Sequence, residues 1–288
     1  MKLAPIYLDK HAQPNLPFVI PRAWRRQIAF GWYGGKFNHL EWLLPLLPEA
    51  HHYCEPFAGS AAVLLNRAPS PVETYNDIDG AVVNFFRVLR DHGAELERAV
   101  ALTPFSREEF CLAIAGPPDG IPDLERARRF YIRARQARTG LAQTASLGRW
   151  ANCKNTSRAG MSGVVSRWLG GIEALADIAE RLLRVQIENR PAIDAIRLYD
   201  GPGTLFYCDP PYLHSTRGDS SAYAFEMDEA GHIELAAVLH QCVGKVAISG
   251  YRNGLMDDLY ADWCRFDAPI KQCHSVKRNR QECVWRNY

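Results

Sequence analysis

Short apolar runs alternate with helix-like stretches along most of the chain. His52-Tyr53-Cys54 is the first compact apolar segment and ends at Glu55; Val72-Glu73-Thr74-Tyr75 is the second and runs into Asn76-Asp77-Ile78-Asp79. Thr204 to Tyr207 and Lys245 to Ile248 repeat the pattern later. Helix-like stretches lie between them, at Ala61 to Arg67, Ala81 to Arg90 and Asp228 to Gln241. A shorter one, Asn38 to Leu44, is limited by Pro45 and Pro48. Two last strand candidates, Trp263 to Asp267 and Glu282 to Asn287, suit a hairpin at a sheet edge. Strand, glycine turn, helix, strand and acid in that order predict an α/β fold built on a doubly wound sheet.

Residues 103–171 break the rhythm. They are rich in Gly, Ser and basic residues and hold no strong strand. The reading is therefore a leader at 1–27, a first core half at 28–102, an inserted, mainly helical lobe at 103–171, and a second core half at 172–288. An amphipathic helix from Gly171 to Ile187 leads back into the core. The leader lacks a compact apolar run, and Pro5, Pro14 and Pro17 interrupt it. No stretch approaches the ~20 apolar residues of a membrane helix. These features imply a cytoplasmic protein with no membrane partner.

Composition changes the picture at one place. Net charge is only +2 over 288 residues, yet Arg126 to Arg167 holds ten Lys or Arg and no Asp or Glu. A basic block in an otherwise acidic chain is an electrostatic footprint for a polyanion. Arg126, Arg128, Arg129, Arg133, Arg135 and Arg138 are the candidate phosphate contacts, with Lys277 and Arg278 of a second basic loop beside them. The eight cysteines include no Cys-x-x-Cys pair; Cys264, Cys273 and Cys283 are nine and ten residues apart. That spacing fits buried thiols rather than a metal site or a disulfide framework. His51 and His52 likewise lack ligand partners, so no metal is expected.

The chemistry concentrates at Asp209-Pro210-Pro211-Tyr212, which follows an apolar strand and so sits where open α/β sheets bind ligands. Asp209 can accept a hydrogen bond from an exocyclic NH₂ group, and a carbonyl of the rigid Pro-Pro turn, that of Pro210, can accept the second. Two acceptors aim the nitrogen lone pair at an electrophilic methyl group. Tyr212 offers a flat face to an extruded base, and such stacking contributes about 1–3 kcal/mol. Cys208 reads as a buried thiol, since methylation of an amine needs no enzyme nucleophile.

This DPPY sequence resembles the catalytic motif of amino-methyltransferases acting on DNA. Trp32-Tyr33-Gly34-Gly35-Lys36 resembles the WxGGK cofactor motif of the Dam-like adenine methyltransferases. Glu55-Pro56-Phe57-Ala58-Gly59-Ser60-Ala61 is similar to that family's main cofactor loop, with Ala61 where a second glycine is usual. Asp77, 18 residues after Gly59, falls where an acid grips a nucleoside hydroxyl in nucleotide-binding α/β folds; Asp79 competes with it. Cofactor motifs first, insertion second and DPPY third resemble the alpha group of these enzymes, over residues 28–288 including the tail from Arg280 to Tyr288.

The resemblance implies a Rossmann-like sheet that binds S-adenosylmethionine and an inserted target-recognition lobe on duplex DNA. Trp32, Lys36, Glu55, Phe57, Gly59, Asp77 and Asp209 would contact the cofactor, and Asp209, Pro210 and Tyr212 would act on N6 of a flipped-out adenine. It implies a nucleoid-associated enzyme and leaves open a separate restriction endonuclease as partner. Methylation of the cytosine amino group, an RNA target and an inactive DNA-binding relative are the rival readings.

Overall fold

A computed structural model of the chain describes residues 26–116, 118–138, 145–213, 225–269 and 281–288. Most of the expected leader, the stretch from His214 to Ser221, and Lys277 and Arg278 lie outside the described residues.

The described chain opens with the short helix α1 (Leu40–Leu43), flanked by 3₁₀ turns at Lys36–His39 and Leu44–Leu46. Strands β1 (His52–Glu55) and β2 (Val72–Asn76) follow, then α2 (Gly80–Asp91), α3 (Gly93–Ala101), α4 (Arg107–Ile114) and α5 (Asp123–Gln136). A two-stranded ribbon, β3 (Ser157–Arg158) and β4 (Met161–Ser162), leads into α6 (Gly163–Ile172), α7 (Leu175–Leu182) and β5 (Val185–Glu188). The chain then runs through α8 (Ala192–Tyr199), β6 (Thr204–Cys208), α9 (Glu229–Leu239), β7 (Lys245–Tyr251), α10 (Gly254–Leu259), β8 (Cys264–Asp267) and β9 (Glu282–Arg286). Polar side chains cap several helix starts. Asp79 accepts from Ala81 N on α2, Ser106 from Glu109 N on α4, and Asp228 from Gly231 N on α9, each worth ~1 kcal/mol.

Among the described residues the main sheet has seven strands in the order β5-β2-β1-β6-β7-β9-β8. The first five are parallel, and β9 runs antiparallel between β7 and β8. The β8–β9 hairpin lies at the sheet edge, as its spacing predicts. Strand residues divide by twos between the faces. Tyr53, Tyr75, Leu205 and Tyr207 join one apolar cluster with α2 and α5, while Cys54, Phe206, Cys208 and Val246 join a second with α9 and α10. Burial on both faces is why the parallel strands read as continuous apolar runs.

Two expected helices are not as the periodicity suggests. Ala61 to Arg67 is a series of tight turns, with Leu65 N bonded to Ala61 O and both Asn66 N and Arg67 N to Val63 O. Ala61 enters it with φ of 55°, outside the helical region, and Val63, Leu64 and Leu65 are all buried, so no polar face exists to define a helix. Gly171 to Ile187 is not one helix either: α6 ends at Ile172, α7 uses Leu175, Ile178 and Leu182 as its buried face, and Val185–Glu188 is the edge strand β5.

Within 103–171, α5 packs on the core. Phe130 meets Phe30 edge-on at 5.2 Å, and Tyr131 stacks on Phe85 at 5.6 Å; such pairs add about 0.5–1.5 kcal/mol each to their area burial. Glu73 of β2 is fully buried and held by Arg181 of α7 through two bonds of 2.6 and 2.7 Å. Removing one partner of such a pair strands the other's charge in the core. Arg181→Ala is therefore expected to lower stability by about 3–5 kcal/mol, read as the shift in urea midpoint; a change below about 1 kcal/mol would mean that Glu73 finds other compensation.

Candidate active site

The strand order reverses between β1 and β6, and at such a switch point the loops leaving the two strands diverge and open a crevice. Here that crevice is a cavity of about 350 Å³ at the carboxyl ends of β1, β2 and β6. Its walls come from the Trp32–Lys36 turn, the Glu55–Ser60 loop, Asp77 and Ile78 after β2, Ile193 at the start of α8, and Asp209 and Pro211 after β6. Sequence reasoning singles out Trp32, Lys36, Glu55, Phe57, Gly59, Asp77 and Asp209, and all of them line this one space.

Two motifs interlock on one wall. Gly59 has φ of 48°, and a Cβ there would lie 2.6 Å from Trp32 Nε1. Glycine is thus required both by the backbone and by the indole resting on it. Tyr75 OH donates to Gly59 O at 2.8 Å, and Gly59 N donates to Asp77 Oδ2 at 2.8 Å. Ala61 keeps the left-handed backbone that a glycine would take freely; for an L-residue this costs about 1–2 kcal/mol, and its methyl is fully buried.

Asp77 also accepts from Asp79 N at 2.9 Å, so both of its oxygens are fixed. Burial raises its pKa to about 6. Asp79 is a buried cap for α2, bonded to Ala81 N at 2.9 Å, and does not line the cavity. Between the two candidates, Asp77 is the acid that lines the cavity.

A charged cluster closes the other wall. Lys36 is buried, and its Nζ lies 2.7 Å from Asp209 Oδ1 and 3.4 Å from Glu282 Oε1 while donating to Gly34 O at 2.7 Å. Tyr212 OH reaches Asp209 Oδ1 at 3.1 Å and donates to Glu282 Oε1. The Tyr212 ring is buried, edge-on to Tyr251 at 4.8 Å and with the Lys36 ammonium 4.9 Å from its centre. Burial raises the Asp209 pKa; Lys36 opposes that and Glu282 reinforces it. The Pro210 ring is buried, and His232 Nε2 donates to Pro211 O at 3.0 Å, which fixes the turn. Below the site Tyr207 OH and Ser249 Oγ share a buried bond of 2.6 Å.

Sequence reasoning misses Glu282. Its one signal is an acid at the start of an apolar strand, Glu-Cys-Val-Trp. Lys36, expected as a cofactor contact, lines the cavity with its ammonium turned to Asp209.

The basic candidates do not converge here. Arg126 pairs with Asp123 at 3.0 Å, Arg128 with Glu125 and Glu109, and Arg129 with Glu125. Arg133 is mostly buried, donates to Ala113 O and has its pKa lowered by that burial. The block has its acids just before it and beside it, so the first half of α5 is locally compensated. Among the described residues no group of three potential ligands could hold a metal ion, and no helix is long and apolar enough to cross a membrane.

A doubly wound sheet, a glycine-turn cavity at its switch point and an Asp-Pro-Pro-Tyr turn directly after β6 are the marks of a methyltransferase. Residues 32–281 match the D12 class N6 adenine-specific DNA methyltransferase family, and the chain belongs to it. It is an enzyme that methylates adenine in DNA with S-adenosylmethionine as donor. No curated protein matches the chain in sequence. Among solved structures, two of the rRNA methyltransferase aviRa from Streptomyces viridochromogenes are similar at 14% identity, with TM-scores of 0.32 and 0.33. They cover 85% and 88% of this chain and 80% and 82% of theirs.

Glu55 supplies a test of the site's electrostatics. It is buried, accepts from Tyr53 OH at 2.7 Å, and burial pushes its pKa up to about 8 from 4.5. The folded state therefore holds this proton more tightly than the unfolded chain. The stabilisation is complete below about pH 4.5 and is lost as pH rises towards 8. Glu55→Gln is expected to flatten the fall in urea midpoint between about pH 5 and 8; an unchanged slope would place the titration elsewhere.

Proposed function

We propose that the chain binds duplex DNA, takes one adenine out of the stack into the cavity beside Asp209, and presents its N6 to the methyl donor. The observation that carries this is the Lys36–Asp209–Tyr212–Glu282 cluster, which holds an acceptor carboxylate against the wall of the cavity.

The cavity fits the donor. Its walls offer apolar surface from Phe57, Ile78 and Ile193, a fixed carboxylate at Asp77, and further carboxyl groups at Glu55 and Asp209. That mixture suits a nucleoside with a positively charged centre. S-adenosylmethionine supplies an electrophilic methyl group on a sulfonium. Asp77 would hold a ribose hydroxyl, Trp32 and Gly59 would shape the backbone approach, and Glu55 and Phe57 would complete the wall.

The chain's own residues act by positioning. Asp209 accepts one hydrogen of the amino group and the Pro210 carbonyl the other, which leaves the nitrogen lone pair directed across the cavity. Lys36 and Tyr212 hold the Asp209 carboxylate still, and Glu282 holds Lys36 and Tyr212. Extruding the base costs a few kcal/mol. Tyr212 stacks on the base only by leaving its place between Asp209 and Glu282. Such an enzyme works at the nucleoid, and a separate restriction endonuclease sharing its target is the partner this marking would serve.

Transfer of label from S-adenosylmethionine to unmethylated duplex DNA tests the reading. Wild-type protein is expected to yield N6-methyladenine. Asp209→Ala is expected to lower kcat at least about a thousandfold, because one carboxylate supplies both the orientation of the amine and its electrostatic complement. Label in cytosine, or in RNA alone, would overturn it. Glu282→Gln is expected to lower kcat roughly ten- to a hundredfold with little change in KM for DNA and to shift the pH profile, because it loosens Asp209 without touching the base. Equal loss in kcat and in thermal stability with an unshifted profile would reduce Glu282 to a packing role.

A further inference from the structure

A second cavity, of about 430 Å³, opens where the end of α5 faces α6. Gly31, Ala134, Arg135, Arg138, Asn152 and Arg167 line it, and no acidic residue does. Its charge differs in kind from that of the first half of α5. Asp123, Glu109 and Glu125 compensate Arg126, Arg128 and Arg129. Beyond them no Asp or Glu occurs up to Arg167, and among the described residues neither Arg135 nor Arg167 pairs with a carboxylate.

The arginines are placed by the backbone around them. A Cβ on Gly171 would collide with the Arg135 guanidinium, so α6 leaves out a side chain where that group lies. Arg135 Nη2 donates to the Arg167 carbonyl, which ties α5 to α6. Arg138 Nη2 donates to Asn152 Oδ1 at 2.5 Å, and Ala151 N donates to Gln136 O at 2.8 Å, which ties the end of α5 to the segment after Trp150. Three arginines thus line one space large enough for an anion. Gly31, in its wall, immediately precedes Trp32 in the wall of the cofactor cavity.

We propose that Arg135, Arg138 and Arg167 form a docking site for a backbone phosphate of the DNA strand that carries the target adenine. This rests on the reading of the chain as a duplex-binding methyltransferase. A phosphate held beside Gly31 fixes the strand's register relative to the Trp32–Lys36 turn while conveying no sequence information. The contacts belong to the later half of the basic block, not to Arg126, Arg129 or Arg133.

The salt dependence of binding tests it. Arg138 and Arg167 are exposed, so an Arg138→Gln, Arg167→Gln double variant keeps the fold; Arg98→Gln, an exposed arginine of α3, is the control. Binding of a labelled mixed-sequence duplex is followed by fluorescence anisotropy across a salt series, with calorimetry of S-adenosylmethionine binding alongside. The double variant is expected to bind roughly three- to tenfold more weakly per arginine near 0.1 M salt, with a log–log salt slope smaller by about 0.9 for each phosphate that is no longer neutralised. Cofactor affinity and the slope of Arg98→Gln should match wild type. Wild-type binding with an unchanged slope in the double variant overturns this inference alone. Stabilisation by inorganic phosphate that the double variant loses, with equal DNA slopes, makes the cavity a free-anion site and overturns it too. A wild type that binds no duplex overturns the underlying reading and the inference with it.

Discussion

One buried ammonium organises the active site. Lys36 is held between Asp209 and Glu282; Lys36 and Glu282 are buried, and Asp209 shows only its cavity side to solvent. Taking such groups out of water costs several kcal/mol per ion, and the arrangement persists because each group has a fixed partner. The three residues come from the turn before α1, the end of β6 and the start of β9. The site exists only when the first and last described segments both sit against the middle of the sheet. The same cluster holds the Asp209 carboxylate at the cavity wall, so the electrostatics that close the fold also fix the direction of that carboxylate.

The cofactor side follows a different logic. Gly59, Trp32, Tyr75 and Asp77 form a chain of contacts in which each fixes the next: indole on glycine, hydroxyl to carbonyl, amide to carboxylate. No charge is cancelled there. The carboxyl groups of Glu55 and Asp77 are raised in pKa by burial, so each holds its proton more readily than a carboxyl group in water.

Much of this was legible in the sequence because it is local. The Asp-Pro-Pro-Tyr turn, the Gly-Gly turn and the acid after β2 each carry their chemistry within a few residues, and the strands feeding them are buried on both faces and so read as apolar runs. Ala61 was visible as a departure from the family's glycine, and the structure gives it a φ of 55°, a left-handed conformation that glycine adopts freely. Glu282 was not legible. Its partners Tyr212 and Lys36 stand far upstream in the chain, and only the pairing of β9 with β7 brings them together. β5 escaped because Val-Gln-Ile-Glu is too short to outweigh the helical text before it. The ion pairing of the basic block was not legible, because Asp123 and Glu125, which pair with its first arginines, stand just ahead of Arg126. A count of charge that starts at Arg126 cannot see them.

The place of β9 has a consequence for how the enzyme comes into being. It lies between β7 and β8, though both precede it along the chain. β9 pairs directly with β7, whereas β8 has no neighbour to join until β9 is in place. Domains fold as units once their parts are present, and this unit's final part delivers Glu282. Without β9 in place the chain can build the wall of Gly59 and Asp77, but Lys36 and Tyr212 lack the Glu282 carboxylate. Any state of the chain in which β9 is unpaired therefore lacks the complete Lys36–Asp209–Tyr212–Glu282 cluster, however well the rest of the sheet is formed.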